Sequence, residues 1–214
     1  AVAKINHDLR NMLTSAQIAS ERMAASGDPQ VARALPRLER ALGRAITLAS
    51  NVLTVGSSDE PAPERHPTPL RAALEAAAED AGLSREGVRL DTAIDPGARV
   101  DADAEQLHRI LVNLLRNARE AIAGGEAGRA TGRIAASLRQ EGGYSVLRLA
   151  DDGPGLPERA RANLFQPFAG SARRGGAGLG LAIARELAQG HGGDLILIDT
   201  GPAGTVFDLR LPDA

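Results

Sequence analysis

The chain has 214 residues, of which 43% are hydrophobic but only 2% aromatic, and it carries a formal net charge of −2 and no cysteine. The core must therefore be built from aliphatic side chains, and the lack of cysteine excludes a disulfide framework and a thiolate zinc site. The nearly balanced charge gives no reason to expect a nucleic-acid partner or an anionic membrane surface. No apolar run approaches the roughly 20 residues that a membrane-spanning helix needs.

Residues 1–57 are expected to form two long helices joined by a tight break at Gly27, Asp28 and Pro29. On both sides of the break, apolar residues recur at alternating steps of three and four, as in a coiled-coil seam. These residues are Val2, Ile5, Leu9, Met12, Ala16, Ala19 and Met23, then Val31, Leu35, Leu38, Leu42, Ala45, Ala49 and Val52. Because an antiparallel helical hairpin cannot bury two such seams alone, we expect a homodimer with a four-helix bundle.

Residues 58–67 are polar and rich in proline and predict a linker, after which residues 68–214 alternate between helical and strand patterns. We expect Thr68 and Pro69 to cap a helix that runs to about Ala81, and Asp103 to cap a second helix that runs to Ile122. A third helix is expected after residue 180. The predicted strands are Val88–Ile94, Arg133–Leu138, Tyr144–Ala150, Asp194–Ile198 and Val206–Leu211, and a turn at Gly142 and Gly143 is expected to join the second strand to the third. Helices on one face of a mixed sheet would make this part an α+β sandwich.

Two glycine clusters about 20 residues apart are the most informative feature of the chain. The first, Asp-Asp-Gly-Pro-Gly at residues 151–155, places carboxylates at the end of an apolar strand, where one can accept a hydrogen bond from a base. The second, Gly-Ala-Gly-Leu-Gly-Leu at residues 176–181, leads into a helix, whose N-terminal N–H groups and positive dipole end suit phosphate. Together the clusters predict a nucleotide held at both ends.

Asn113 and Asn117 lie four residues apart in the helix after Asp103 and therefore share one face. Isolated asparagines on a helix are more often ordinary polar surface. Beside two glycine loops, however, two carboxamides on one stripe can ligate Mg2+ and reach phosphate oxygens. The pair therefore predicts a magnesium site.

Four motifs resemble, in order, the N, G1, F and G2 boxes of two-component sensor histidine kinases. They are Asn-Leu-Leu-Arg-Asn-Ala at 113–118, Asp-Asp-Gly-Pro-Gly at 151–155, Leu-Phe-Gln-Pro-Phe at 164–168 and Gly-Ala-Gly-Leu-Gly-Leu at 176–181. Residues 204–205 resemble the third glycine box of the family, and His-Asp-Leu-Arg-Asn at 7–11 resembles its phosphoacceptor box. The resemblance covers essentially the whole chain. It implies a dimerisation and histidine-phosphotransfer domain over 1–57 and an ATP-binding domain of the histidine kinase/gyrase-type ATPase fold over 68–214.

The resemblance also implies ATP and Mg2+ as ligands and a role for each matching position. Asp151 would bind the adenine amino group, Asn117 would ligate Mg2+, and Asn113 would assist at the metal or the phosphates. Residues 156–177 would form a mobile ATP lid. The remaining nucleotide contacts would come from Gly153, Gly155, Phe168, Arg173, Arg174, Gly176, Gly178, Leu179, Gly180 and Thr205. The two lid arginines could equally be solvated.

His7 falls on the outer face of the first predicted helix, opposite the apolar seam. A neutral imidazole can attack a phosphoryl group with one nitrogen, while Asp8 orients the ring and takes the proton from the other. Asn11 lies one turn later, and in the family such an acid and amide pair is associated with dephosphorylating the partner regulator. We therefore expect a histidine kinase, and Asn11 adds the hypothesis of a second, phosphatase activity, with a plain surface residue as the alternative.

The sequence departs from the family pattern at three places. Met12 stands where many members have proline, so the helix should be less bent there. The N box continues with Arg119 and Glu120 instead of Lys and an aromatic residue, which resembles the nitrogen-regulation branch and leaves the phosphate-binding cation open. The distance from the F box to the second glycine box is short, which predicts an abbreviated lid.

Three alternatives stay open. ATPases of the same fold carry a water-activating glutamate four residues before the metal-binding asparagine, where this chain has Asn113. A serine-directed kinase of the fold is disfavoured by the two-helix front end that bears His7. A non-catalytic histidine phosphotransfer adaptor is disfavoured by the intact glycine boxes and both asparagines.

The chain begins with Ala1 and enters a helical pattern at once, so we expect a cytoplasmic fragment of a longer protein. Any membrane attachment would reside in segments outside this sequence. The expected partner is the receiver domain of a response regulator, which would dock near His7.

Overall fold

The computed structural model describes residues 61–84, 87–124, 131–166 and 179–214. It also describes five single positions, all helical: Ala19, Met23, Val31, Leu35 and Leu38. The remainder of the expected hairpin lies outside the described residues, so the hairpin and its dimeric bundle stay predictions. All described residues from Pro61 onward belong to one compact unit.

The main feature of this unit is a five-stranded mixed sheet. In chain order its strands are β2 (Val88–Ala93), β4 (Gly132–Glu141), β5 (Tyr144–Asp151), β6 (Asp194–Gly201) and β7 (Gly204–Pro212). Their spatial order is β2-β4-β5-β7-β6, with β2 and β4 parallel and the other three pairs antiparallel. The predicted turn between β4 and β5 is confirmed, since Gly142 and Gly143 both adopt positive φ.

The helices are α1 (Leu70–Asp80), α2 (Ala104–Ala123), the short α3 (Glu158–Ala162) and α4 (Gly180–Gly190). Aliphatic side chains of α2 and α4 form the core against one face of the sheet. The buried set comprises Leu107, Ile110, Leu111, Leu115, Ile183, Leu187, Ile134, Leu147 and Leu209. The α+β sandwich expected from the sequence is therefore confirmed.

Asp103 caps α2 as predicted, because its Oδ1 accepts hydrogen bonds from the backbone N–H groups of Glu105 and Gln106. The expectation that Thr68 caps α1 is wrong. Pro69 is the N-cap residue of that helix and makes no side-chain capping bond. The Thr68 hydroxyl instead donates to the carbonyl of Ala102, at 2.8 Å.

A second, two-stranded sheet was not predicted. In it β1 (His66–Pro69) pairs antiparallel with β3 (Arg99–Ala102). Residues 66 and 67, which the sequence assigns to the linker, therefore belong to a strand. In the described ranges, none of the helices is both long and apolar enough to cross a membrane.

The face of the main sheet that α2 and α4 leave open carries a charged network. Asp208 is 1% exposed and lies beneath two arginines. Its carboxylate accepts from Arg148 Nε and Nη2 at 2.8 and 2.9 Å, and from Arg139 Nη2 at 2.8 Å. Burial raises the pKa of Asp208, but these hydrogen bonds outweigh burial and hold the pKa below its ordinary value.

Candidate functional site

A cleft opens between α2 and the sheet, and it brings together two of the predicted site residues. Asn117 from α2 and Asp151 from the end of β5 both line it. The rest of the lining is apolar: Leu114, Leu115, Ala118, Ile134, Leu149 and Phe207. An apolar slot with one carboxylate and one carboxamide suits a flat heterocycle that presents a polar edge.

The two adjacent carboxylates of the first glycine cluster have different positions. Asp151 Oδ1 accepts a hydrogen bond from the Gly153 N–H at 2.9 Å, which fixes the carboxylate at the cleft. Asp152 Oδ1 instead accepts from the Arg133 N–H at 2.9 Å, while its own N–H donates to the Arg133 carbonyl. Asp151 is therefore the acceptor at the cleft, and Asp152 ties the loop to β4.

Close backbone contacts explain the glycines around Asp151. A side chain at Gly153 would place its Cβ 2.8 Å from Asp151 Oδ1. Gly155 has φ +78, and a Cβ there would overlap the backbone of Gly201. Gly204 has φ +133, and a Cβ there would overlap the carbonyl of Asp151. Both positions need glycine for their conformation as well as for space.

Asn113 lies against the N-terminus of α4. Its Nδ2 donates to the Arg109 carbonyl at 3.0 Å, which leaves Oδ1 facing Gly180. A Cβ on Gly180 would lie 3.2 Å from that oxygen. Leu179, which precedes Gly180, is fully buried and anchors this end of the helix. The N–H groups of the first turn, which have no acceptor within the helix, and an amide oxygen thus lie at one place, where they suit phosphate and a metal ion respectively.

The far ends of α2 and α4 are also tied together, through a residue that the sequence did not identify. The backbone N–H of Asp103, at the start of α2, donates to Nε2 of the buried His191 at 3.1 Å. His191 follows α4, and its Nδ1 lies 2.8 Å from the Leu187 carbonyl. Because Nε2 accepts, the hydrogen-bond network assigns the proton to Nδ1, which donates to the Leu187 carbonyl.

The Asp103 carboxylate also binds the segment that precedes β1. Its Oδ2 accepts from the Glu64 N–H at 3.1 Å, while Oδ1 caps α2. These backbone hydrogen bonds, the largest from Gln106, hold the pKa of Asp103 below its ordinary value. Both ends of α4 are therefore held against α2, the C-terminal end by His191 and the N-terminal end by the proximity of Gly180 to Asn113.

Comparison with known proteins agrees with this geometry. The model of the family described as histidine kinase-, DNA gyrase B- and HSP90-like ATPase matches residues 102–214. The chain belongs to this family. The match begins at the end of β3 and includes the cleft, both glycine clusters and the two asparagines.

Three relatives illustrate the similarity. The probable sensor histidine kinase TcrY of Mycobacterium tuberculosis is 31% identical over 221 residues, which cover 99% of this chain and 45% of that protein. The sensory histidine kinase/phosphatase NtrB of Salmonella typhimurium is 37% identical over 134 residues, 59% of this chain and 38% of that protein. The solved structure of the mycobacterial sensor histidine kinase MprB superposes with a TM-score of 0.57 at 28% identity, covering 69% of this chain and 97% of that one. The chain spans less than half the length of both curated relatives.

Arg119, which follows the N box of this ATPase domain, is engaged with α1. Its Nη1 donates to the Ala81 carbonyl at 2.7 Å, and its Nη2 lies 3.6 Å from Glu120 Oε1. Gly82, next to Ala81, would bring a Cβ within 3.0 Å of the same guanidinium. Arg119 therefore fastens α2 to α1.

The expected lid is described only at its start. Residues 158–162 form α3, so this part of the lid is regular. Phe165 lies under the guanidinium of Arg185 from α4, with the ring centroid 4.5 Å away, and Arg185 Nε also donates to Asp194 Oδ1 at 2.8 Å. The entry to the lid is thus anchored on α4.

Eight of the predicted site residues lie outside the described residues, and their roles stay predictions. They are His7, Asp8, Asn11, Phe168, Arg173, Arg174, Gly176 and Gly178. Thr205 is described: it is 3% exposed, and it pairs with Asp151 across β5 and β7.

The donor set of the ATPase domain fits Mg2+ bound together with phosphates. In the described part of the chain, no three histidine or acidic side chains cluster closely enough to hold a metal ion by themselves. Mg2+ commonly uses one or two protein oxygens and takes its other ligands from phosphates and water. The amide oxygens of Asn113 and Asn117 are such hard ligands, and Gly180 leaves space beside the first of them.

Proposed function

We propose that this chain is the catalytic core of a sensor histidine kinase. It would phosphorylate His7 from Mg-ATP and then pass the phosphoryl group to an aspartate of a response regulator. The observation that carries the proposal is the arrangement of Asp151 and Asn117 at an apolar cleft, with Asn113 one turn away against the N-terminus of α4. The names of the relatives, which are sensor histidine kinases, support the same activity.

Different residues of the site would bind different parts of Mg-ATP. Asp151 would accept a hydrogen bond from the adenine amino group, and the apolar cleft would hold the ring. The first turn of α4 would bind phosphate oxygens through its unpaired N–H groups. Asn117 and Asn113 would hold Mg2+, which when bound neutralises phosphate charge and aligns the γ-phosphoryl group.

His7 would then be the nucleophile. One imidazole nitrogen of His7 would attack the γ-phosphorus. At the same time the bond between the γ-phosphorus and the oxygen that bridges it to the β-phosphate would break, and ADP would leave. Asp8 would accept the proton from the other nitrogen. The product, a phosphohistidine, is labile in acid and would donate its phosphoryl group to the regulator.

The position of Asn113 distinguishes this proposal from an ATPase of the same fold. A carboxamide cannot serve as the base that activates water, and its Nδ2 is already committed to the Arg109 carbonyl. Because the site lacks a base that activates water, it favours transfer of the phosphoryl group to histidine over hydrolysis. The kinase/phosphatase name of NtrB supports a second activity in which Asn11 would position water to dephosphorylate the regulator.

Incubation with γ-labelled ATP tests the proposal. We expect acid-labile label on the wild-type chain, no label on His7→Gln, and full label on His66→Gln, a matched change at an exposed histidine of β1. Asn117→Ala should weaken Mg-ATP binding by roughly tenfold or more, because a hydrogen bond or ligand to a charged group is lost.

Each outcome has a clear reading. Acid-labile label on His7→Gln would show that the nucleophile is another residue. Release of inorganic phosphate at equal rates by the wild type and His7→Gln would favour the ATPase. Normal Mg-ATP binding by Asn117→Ala would refute the metal assignment. The homodimer and the regulator are tested by sedimentation and by transfer of label to a receiver domain.

A further inference from the structure

Two threonine hydroxyls stand in a row with Asp151 beside the cleft. Thr200 of β6 pairs in register with Thr205 of β7, which pairs in register with Asp151 of β5. Residues paired in this way point to the same side of a sheet. That side faces the cleft, because Phe207, two residues after Thr205 on the same strand, lines it.

The polar contacts of this row favour one direction for its hydrogen bonds. The backbone N–H of Leu156, which can only donate, lies 2.8 Å from Thr200 Oγ1. The Thr200 hydroxyl therefore accepts there and must direct its own proton elsewhere. For the described residues, the acceptor recorded within reach of that proton is Thr205 Oγ1, at 3.2 Å.

The direction then continues to Thr205. In the arrangement in which Thr205 Oγ1 accepts from Thr200, the Thr205 proton is left to point to the cleft side. Thr205 is 3% exposed, so this donor is shielded from bulk water. A buried hydroxyl donor that finds no acceptor is unfavourable, and a ligand atom that accepts from it is therefore selected.

We propose that Thr200 is a positioning residue that fixes Thr205 as a hydrogen-bond donor next to the Asp151 acceptor. The inference rests on the proposed function, in which ATP is the substrate. An acceptor beside a donor matches the edge of adenine, where the amino group donates and the adjacent ring nitrogen accepts. Guanine presents the reverse pattern at the corresponding atoms, an acceptor oxygen and a donor ring N–H. Thr200 thus contributes to selecting adenine without touching it.

Base preference is the property that separates this role from a merely structural one. Thr200→Val keeps the shape of the side chain and removes the hydroxyl, so nothing then holds the Thr205 proton on the cleft side and the hydroxyl can rotate away from it. We expect the dissociation constant for Mg-ATP, measured by calorimetry, to rise roughly threefold to tenfold, the range of one hydrogen bond. The dissociation constant for Mg-GTP should stay nearly constant, so the preference for ATP over GTP falls.

Two matched variants complete the experiment. Thr200→Ser restores the hydroxyl and should restore the preference. Thr92→Val removes a buried hydroxyl on β2 that makes no hydrogen bond to any described residue, and it should leave both constants unchanged. Thermal melting of each variant checks that the fold is retained.

The inference is overturned if Thr200→Val keeps the wild-type ratio of ATP to GTP affinity, whether both constants stay the same or rise together. Failure of the proposed function looks different. A chain that prefers Mg-ATP in a Thr200-dependent way but never labels His7 would lose the kinase assignment and keep this one. If His7 is labelled while Thr200→Val binds both nucleotides as the wild type does, the kinase assignment stands and the role of Thr200 is refuted.

Discussion

The two glycines at the ends of α4 provide a matched test of the site. Gly180 is its first residue and Gly190 its last, and neither has a positive φ. An alanine at either position should reduce the freedom of the unfolded chain and add about 0.4–1 kcal/mol of stability. The surroundings differ: nothing lies within 4 Å of a Cβ at Gly190, whereas a Cβ at Gly180 lies 3.2 Å from Asn113 Oδ1.

Asn113 cannot yield freely to that contact, because its Nδ2 is bonded to the Arg109 carbonyl. Displacing the carboxamide should cost about 1 kcal/mol, the net value of one hydrogen bond. Gly180→Ala should therefore leave the melting temperature nearly unchanged, as gain and loss cancel. Gly190→Ala should raise it by about 1–4 °C, at roughly 2–4 °C per kcal/mol for a chain of this size.

Affinity for Mg-ATP should differ between Gly180→Ala and Gly190→Ala more clearly than stability does. In Gly180→Ala both the amide oxygen and the approach to the first turn of α4 are disturbed, so we expect Mg-ATP affinity to fall about tenfold or more. Gly190→Ala should bind as the wild type does. Calorimetry with Mg-ATP and differential scanning fluorimetry without nucleotide measure the two effects separately.

A double-mutant cycle with Asn113→Ala tests the cause. If the methyl group acts through Asn113, the variant with both changes should bind no more weakly than Asn113→Ala alone. Wild-type affinity in Gly180→Ala would refute the placement of phosphate between Asn113 and α4. An equal loss in Gly190→Ala would show that the effect comes from the helix as a whole.

Three further outcomes are expected. Gly155→Ala should be far more destabilising than Gly143→Ala in urea unfolding: both have positive φ and lose about 1–2 kcal/mol, but only the first also overlaps neighbouring backbone. Asp208→Asn should lower the free energy of unfolding by about 2 kcal/mol at neutral pH. Because the folded-state pKa of Asp208 is lowered, its contribution to stability is present above the unfolded-state pKa of about 4 and fades as the pH falls below that value. The urea unfolding curves of variant and wild type should therefore converge in acid. His191→Leu should lose about 1–3 kcal/mol in urea unfolding, since the Asp103 N–H then lacks its acceptor.

Local patterns predicted those elements whose structure depends on neighbours in sequence. The period of α2, its Asp103 cap and the turn at residues 142–143 follow from spacing, capping chemistry and glycine. The same local signals led to the site residues Asn113, Asn117 and Asp151, because their spacing and flanking glycines are visible in the sequence. In the structure Asn117 and Asp151 line one cleft and Asn113 lies against Gly180, while their roles toward a nucleotide and a metal ion stay predictions.

Features made by pairing over long separations were missed. β1 and β3 are four residues each, the first contains two prolines, and their register joins residues 30 to 36 positions apart. Nothing in the local pattern of His66–Pro69 distinguishes it from a linker. The short α3 was missed for a related reason, since five residues are too few to show a helical period.

The same limit applies inside the site, where the unpredicted residues are those that position others. His191 has no motif of its own, yet it sets one end of the α2–α4 contact because it meets the Asp103 N–H across 88 residues of chain. Thr200 likewise gains its role only from Leu156, 44 residues earlier. A sequence motif marks groups that would touch the nucleotide, because the chemistry restricts their residue type and spacing. The residues that orient those groups are restricted by the fold, so they become visible only once the strands and helices are in place.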